Sequence, residues 1–235
     1  MKNILFLFTI IPIMFSCKGQ GKHSATSLAD EAVQLADFDF KTKISTLLPE
    51  NTKSKTYPGY YEVKHEVLQV DTIMSDGFDE AEKPLRVEYR KQNSSSRDVM
   101  AKFDDSEYSA INFLTTLDGN IMAINATIGN VDLAEGESFV KDLENKYGKT
   151  TKTKGEFAGK SFDIYTWKLK DRIISYNMVF NDDSNTLRIE LDKDGKQVNK
   201  GQKSPHFEGY LFIVQKQYES QVFGQSIAGD FVYLN

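Results

Sequence analysis

Cysteine is almost missing from this chain. Its 235 residues hold one, Cys17, so no intramolecular disulfide can form and no cluster of thiolates can hold a metal. Histidine is nearly as scarce, with only His23, His65 and His206. No stretch spells G-x-x-x-x-G-K-[ST], G-x-G-x-x-G, H-E-x-x-H or G-x-S-x-G. The usual scaffolds for phosphate cradling, dinucleotide binding, zinc proteolysis and a nucleophile elbow are thereby removed. Basic excess is lacking too: 29 Lys and Arg stand against 34 Asp and Glu, a net charge of −5, whereas nucleic-acid binding asks for a strongly basic face. No cofactor, metal or nucleic-acid partner is expected. What is present is ordinary globular composition, 40% hydrophobic and 27% charged.

Long apolar runs are confined to the first sixteen residues. Met1-Lys2-Asn3 is a short positive start, and residues 4–15 are apolar except for Thr9 and Pro12, the pattern of an export signal. A span needs about 20 apolar residues, so this run is too short to cross a bilayer. Cys17 follows at once. Met14-Phe15-Ser16-Cys17 resembles the lipobox of bacterial lipoproteins, with Met14 where that motif commonly has Leu and Phe15 where it commonly has a small residue. The resemblance covers the leader and its cysteine only. It implies cleavage before Cys17, acylation of Cys17 and a membrane anchor firmer than one myristoyl chain. Lys18, rather than Asp, after the cysteine implies sorting to the outer membrane of a bacterial envelope. Residues 1–16 are thus expected as signal, 17–26 as lipidated cysteine and flexible tether, and 27–235 as the globular region.

Ser27 resembles an N-cap, and Leu28, Ala32 and Leu35 recur at helical spacing, which predicts a short amphipathic helix. Residues 38–48 fit helix and strand equally. Tyr61, Val63, His65 and Val67 alternate with polar residues, as do Leu85, Val87 and Tyr89, which predicts two strands with one wet face each. A further strand is expected at residues 99–103. Asp118-Gly119 between two apolar alternations predicts a two-residue type I′ turn pairing Leu117 with Asn120. That register places Ile111, Phe113, Leu117, Met122, Ile124 and Ile128 on the core face, with Asn112, Thr116, Asn125 and Thr127 opposite. Asp132 with Glu135 reads as a capping box opening a helix over 133–147, closed by Gly148. Residues 150–159 read as a loop. Strands follow at 161–169, 172–180 and 186–191, with Lys170-Asp171 as a turn that faces Trp167 with Ile174 and Tyr165 with Tyr176. Residues 210–214 predict a central strand and 231–234 a last short one. Hairpins with two or so interspersed helices define an α+β fold dominated by an antiparallel sheet, with a weak seam between subdomains near 92–97.

Candidate chemistry is thin. Ser138-x-x-Lys141 and Ser175-Tyr176-Asn177 follow the order seen in penicillin-recognising enzymes, but the third element is missing, since Lys203-Ser204 is followed by Pro205. His65 sits on the apolar side of its strand pattern and His206 in a loop. Asp192-Lys193-Asp194-Gly195 and residues 181–185 are oxygen-rich turns without the spacing of a calcium loop. Tyr57, Tyr60 and Tyr61 could stack a sugar. Lys149, Lys152 and Lys154 lie in the one locally basic stretch, a candidate docking loop for an anionic partner. Two functions from different classes follow. One is a non-catalytic lipoprotein that binds or supports another envelope protein, an inhibitor or immunity protein being a variant. The other is an envelope hydrolase using paired carboxylates without a local motif.

Overall fold

The computed structural model describes residues 26–75, 82–92, 98–182, 189–191, 193, 196–200, 205–223 and 229–234. Outside them fall the leader, Cys17 and most of the tether, residues 93–97 of the expected seam, the first half of the strand expected from Thr186, and most of the two oxygen-rich turns.

The elements run β1 (Val33–Gln34), α1 (Ile44–Leu47), β2 (Tyr60–Val63), β3 (Glu66–Met74), β4 (Pro84–Lys91), β5 (Ala101–Phe103), β6 (Ser106–Tyr108), β7 (Ala110–Thr115) and β8 (Ile121–Val131). Then come α2 (Leu133–Tyr147), β9 (Thr151–Phe157), β10 (Lys160–Lys168), β11 (Arg172–Asn181), β12 (Ile189–Leu191), β13 (Gln197–Lys200), β14 (His206–Gln215), α3 (Glu219–Val222) and a 3₁₀ segment, Gly229–Leu234. Nine strands form one sheet in the order β2-β3-β4-β7-β8-β14-β11-β10-β9, every neighbouring pair antiparallel. The molecule is thus mostly antiparallel sheet with few helices, which fits an α+β class loosely.

Both faces of this sheet are covered. On the first, Leu28, Leu35, Phe38 and Leu47 from the N-terminal segment, Phe103 from β5, and Val140 and Leu143 from α2 pack over Ile111, Phe113, Ile124, Trp167 and Tyr176. On the second, Phe162, Ile173, Tyr210, Phe212 and Val214 lie under Val222 of α3 and Phe231 and Leu234 of the 3₁₀ segment. Alternation along residues 210–214 of β14 explains why that stretch reads as uninterrupted apolar sequence: each side chain meets a core, whichever way it points.

Local chemistry accounts for the elements that were legible. Asp132 and Glu135 form the reciprocal capping box, and Gly148 closes α2 at φ 87°. The turn at Lys170-Asp171 sets Trp167 opposite Ile174 and Tyr165 opposite Tyr176, as expected. Other expectations need correction. Residues 28–36 are not a helix, because Val33 and Leu35 donate their backbone N–H to Met100 and Lys102 (3.0 and 2.8 Å), and pairing with β5 outweighs a weak propensity. The expected strand through His65 is a hairpin, turning at Lys64 with φ 55°. The Asp118-Gly119 turn has three loop residues, since Thr116 and Asn120 close it. An irregularity between Leu114 and Thr115 then restores the expected pairing of Phe113 with Ile124, but Leu117 is exposed and Met122 lies on the second face. The 150–159 loop is strand β9 at the sheet edge, and residues 231–234 are 3₁₀ rather than strand.

Gly136 yields one expected outcome. Within a helix Gly→Ala ordinarily gains about 1 kcal/mol, yet a Cβ here would overlap Met178 Sδ and stand 2.9 Å from its Cε. Overpacking at about 1–3 kcal/mol set against that gain leaves Gly136→Ala expected to lower stability by up to about 2 kcal/mol. A denaturant melt checks the sign.

Candidate functional site

The second face carries an unusual polar stripe where β4, β7 and β8 lie side by side. On β4, whose apolar residues Val87 and Tyr89 face the first core, the alternate positions are Arg86, Glu88 and Arg90. Sequence pattern marks that side as wet. In the fold Arg86 and Glu88 are buried, Glu88 at 0% exposure, because α3 and the 229–234 segment close over them. Arg86 Nη1 donates to the Gln221 carbonyl of α3 (3.1 Å), and Arg90 Nη2 pairs with Asp71 of β3. Among the described residues Glu88 receives no hydrogen bond at either oxygen.

Beside it, Asn112 Nδ2 donates to Asn125 Oδ1 (2.7 Å) and Asp230 Oδ2 (3.1 Å). Thr127 Oγ1 donates to the same Asp230 oxygen (3.0 Å). The sequence register had put Asn112, Asn125 and Thr127 on one face, and they do meet. Asp230 arrives from far along the chain, on the segment that caps them. Farther along the stripe Tyr210 donates to Glu208 Oε2 (2.7 Å) and stacks on Tyr233 at 4.4 Å, while Asn177 Nδ2 donates to the Tyr233 carbonyl (2.7 Å).

Burial governs the acid–base character of this cluster. It pushes the Glu88 carboxyl up to about 7, against the pull of Arg90 and Arg86 and with help from Asp71 and Asp230. Asp230 is raised by burial too, although Thr127 and Asn112 partly offset it. The Tyr210 phenol is driven far up by burial and by Glu208 beside it. Two buried carboxyls, both shifted upward in one site, are what acid–base chemistry uses, but the approach is occupied. A Cβ on Gly229 would lie 2.9 Å from Glu88 Oε1 and overlap Arg90, so the 229–234 backbone itself fills the space above the carboxylate.

The residues singled out from sequence lie elsewhere. His65 is at the exposed tip of the β2–β3 turn, with Nδ1 2.9 Å from Asp98 Oδ2; its expected place on an apolar face is overturned by the hairpin. His206 opens β14, with Nε2 3.7 Å from Glu208 Oε1. Ser138 and Lys141 are exposed on α2, over the first face, and Ser175 is buried on the second, so the sheet separates them. Tyr57 is exposed beside Tyr60 at 6.2 Å, while Tyr61 packs on Tyr89. Lys149 is exposed just after α2. Lys152 and Lys154 both reach Asp163 of β10, at 2.8 and 2.5 Å. Among the described residues no group of three or more His, Cys, Asp or Glu could hold a metal ion, and no helix is long and apolar enough to cross a membrane.

No protein-family model, no curated protein and no solved structure matches the chain.

Proposed function

We propose that the chain is a lipid-anchored lipoprotein of the bacterial envelope whose folded region is a non-catalytic module for binding or assembling another envelope protein, with inhibition of an exported toxin as one form of that role. The observation that carries this reading is the sealed polar stripe: its carboxyls are covered by the chain's own 229–234 segment. The partner-facing surface is then sought on the edge strand β9, where Lys152 and Lys154 are exposed, and on Lys149 just before it. Lysines on an edge also discourage sheet-to-sheet aggregation. A carboxylate hydrolase is the second reading, favoured by the raised Glu88 and Asp230 in one cluster.

The test is crosslinked recovery of the partner from native membranes at low and high salt. Because Lys152 and Lys154 already answer Asp163, replacement of the three lysines by Gln is the cleaner variant; Glu would set like charges on Asp163. Wild-type recovery should fall as salt shortens the Debye length from about 10 Å at 0.1 M, and the triple variant should recover less at low salt. Equal recovery by both proteins removes β9 from the reading. Cys17→Ser should leave the protein unlabelled by palmitate and either off the membrane or as an uncleaved precursor; unchanged labelling and partitioning defeat the anchor.

A further inference from the structure

The 229–234 segment touches the sheet in a way ordinary packing does not require. Phe231 and Leu234 are buried anchors, yet between and before them lie a glycine pressed on Glu88, a carboxylate seated on Asn112 and Thr127, and a backbone carbonyl taken by Asn177. The segment thus brings Asp230 into a stripe that already holds Glu88 and Glu208. We propose that residues 229–234 form a pH-sensitive latch, closed while the Glu88 carboxyl beneath Gly229 keeps its proton and released as it ionises.

The surrounding charges favour this behaviour. From β4, Arg86 is engaged by the α3 carbonyl and Arg90 by Asp71 of β3. Lys91 Nζ lies 3.2 Å from Glu66 and donates to the Ser109 carbonyl (2.9 Å). From β14, Glu208 adds a carboxylate and Tyr210 a neutral phenol; Tyr233 of the segment is neutral as well, its phenol raised by burial. The cations near Glu88 thus already have other partners, Arg90 while keeping its Nε–H unbonded; Asp71 and Asp230 press on Glu88, and Glu208 presses on Asp230. An ionised Glu88 has no hydrogen-bond donor while the latch is shut. Opening admits water to it and separates it from Asp230. Burial acts in the same sense on both carboxyls. What opening uncovers is the amide row Asn112, Asn125 and Asn177 with Thr127.

Native-state proteolysis of the full chain in detergent micelles tests this. Chymotrypsin cuts after Phe231 and Tyr233, and intact mass reports loss of the residues beyond; rates are normalised to a peptide copying residues 229–234. Between about pH 5.5 and about 8.5 the normalised rate should rise at least about tenfold, given that the Glu88 carboxyl returns from about 7 to its ordinary value on opening. Glu88→Gln should flatten that rise, and Asp230→Asn, which keeps an oxygen for Asn112 and Thr127, should reduce it. A pH-independent rate in the wild type, an undiminished slope in Glu88→Gln, or cutting spread over the whole chain would each overturn the latch.

Discussion

Phe231→Ala is expected to cost about 3–5 kcal/mol, the range for emptying a fully buried aromatic site. Phe231 is 0% exposed and sits 6.0 Å from the Phe212 ring at the centre of the second face. Among the described residues no strand pairing holds the 229–234 segment to the sheet, so this side chain and its neighbours carry its attachment. If the segment lets go as one piece, the Asp230 contacts with Asn112 and Thr127 vanish with it. Phe231→Ala combined with Asp230→Ala, which removes the oxygen that Asn112 and Thr127 reach, should then cost clearly less than the sum of the two single changes. Equilibrium urea unfolding of the four proteins decides it; strict additivity would mean that the segment is held residue by residue.

Glu88→Gln should act in the opposite direction, raising stability by up to about 3 kcal/mol at pH 8 and by little at pH 4. Burial lifts the Glu88 carboxyl from its ordinary 4.5 to about 7. Between those values the folded chain holds a proton that the unfolded chain releases. Stability therefore declines as pH rises through this window, and the loss is complete above it. Gln keeps the shape and carries nothing to titrate. Part of the slope should persist in the variant, because Asp230 and Glu66 are also raised by burial. Asp98, Asp118, Asp163, Asp171 and Glu219 are held low by hydrogen-bonding partners, so their contributions fade only in more acidic solution and leave the window clear. Thermal melts of both proteins across pH 4 to 8 measure the difference; parallel curves would contradict the burial of an unpartnered carboxyl.

How legible the fold was depends on the distance between cause and effect. The β10–β11 register follows from two residues at its own turn, and α2 follows from Asp132, Glu135 and Gly148, so both could be read from a few neighbours. The N-terminal segment could not, because its conformation is set by hydrogen bonds to Met100 and Lys102, far along the chain. The same holds for the candidate site. Arg86, Glu88 and Arg90 alternate with Leu85, Val87 and Tyr89 just as a strand with one wet face would. Nothing local says that residues 229–234 will return to dry that face. Asn112, Asn125 and Thr127 carried the one usable sign, three amide or hydroxyl side chains in register on strands otherwise filled with apolar residues. The lysines of β9 carry a loop's pattern, since Thr and Lys alternate there with no apolar residue before Gly155, and an edge strand needs none on its open side.

The position of β14 constrains how such a sheet comes together. It lies between β8 and β11, yet follows both in the chain. A polypeptide halted before residue 206 could pair β2, β3, β4, β7 and β8 as one ribbon and β9, β10 and β11 as another, each ending in an unsatisfied border. The zipper between them is inserted late and joins partners far apart in sequence, a topology of high contact order that folds slowly. Until it arrives, the exposed borders of β8 and β11 are the places where two such chains would stick to each other. Chaperone demand during biogenesis should accordingly concentrate on the interval before residues 206–215 become available.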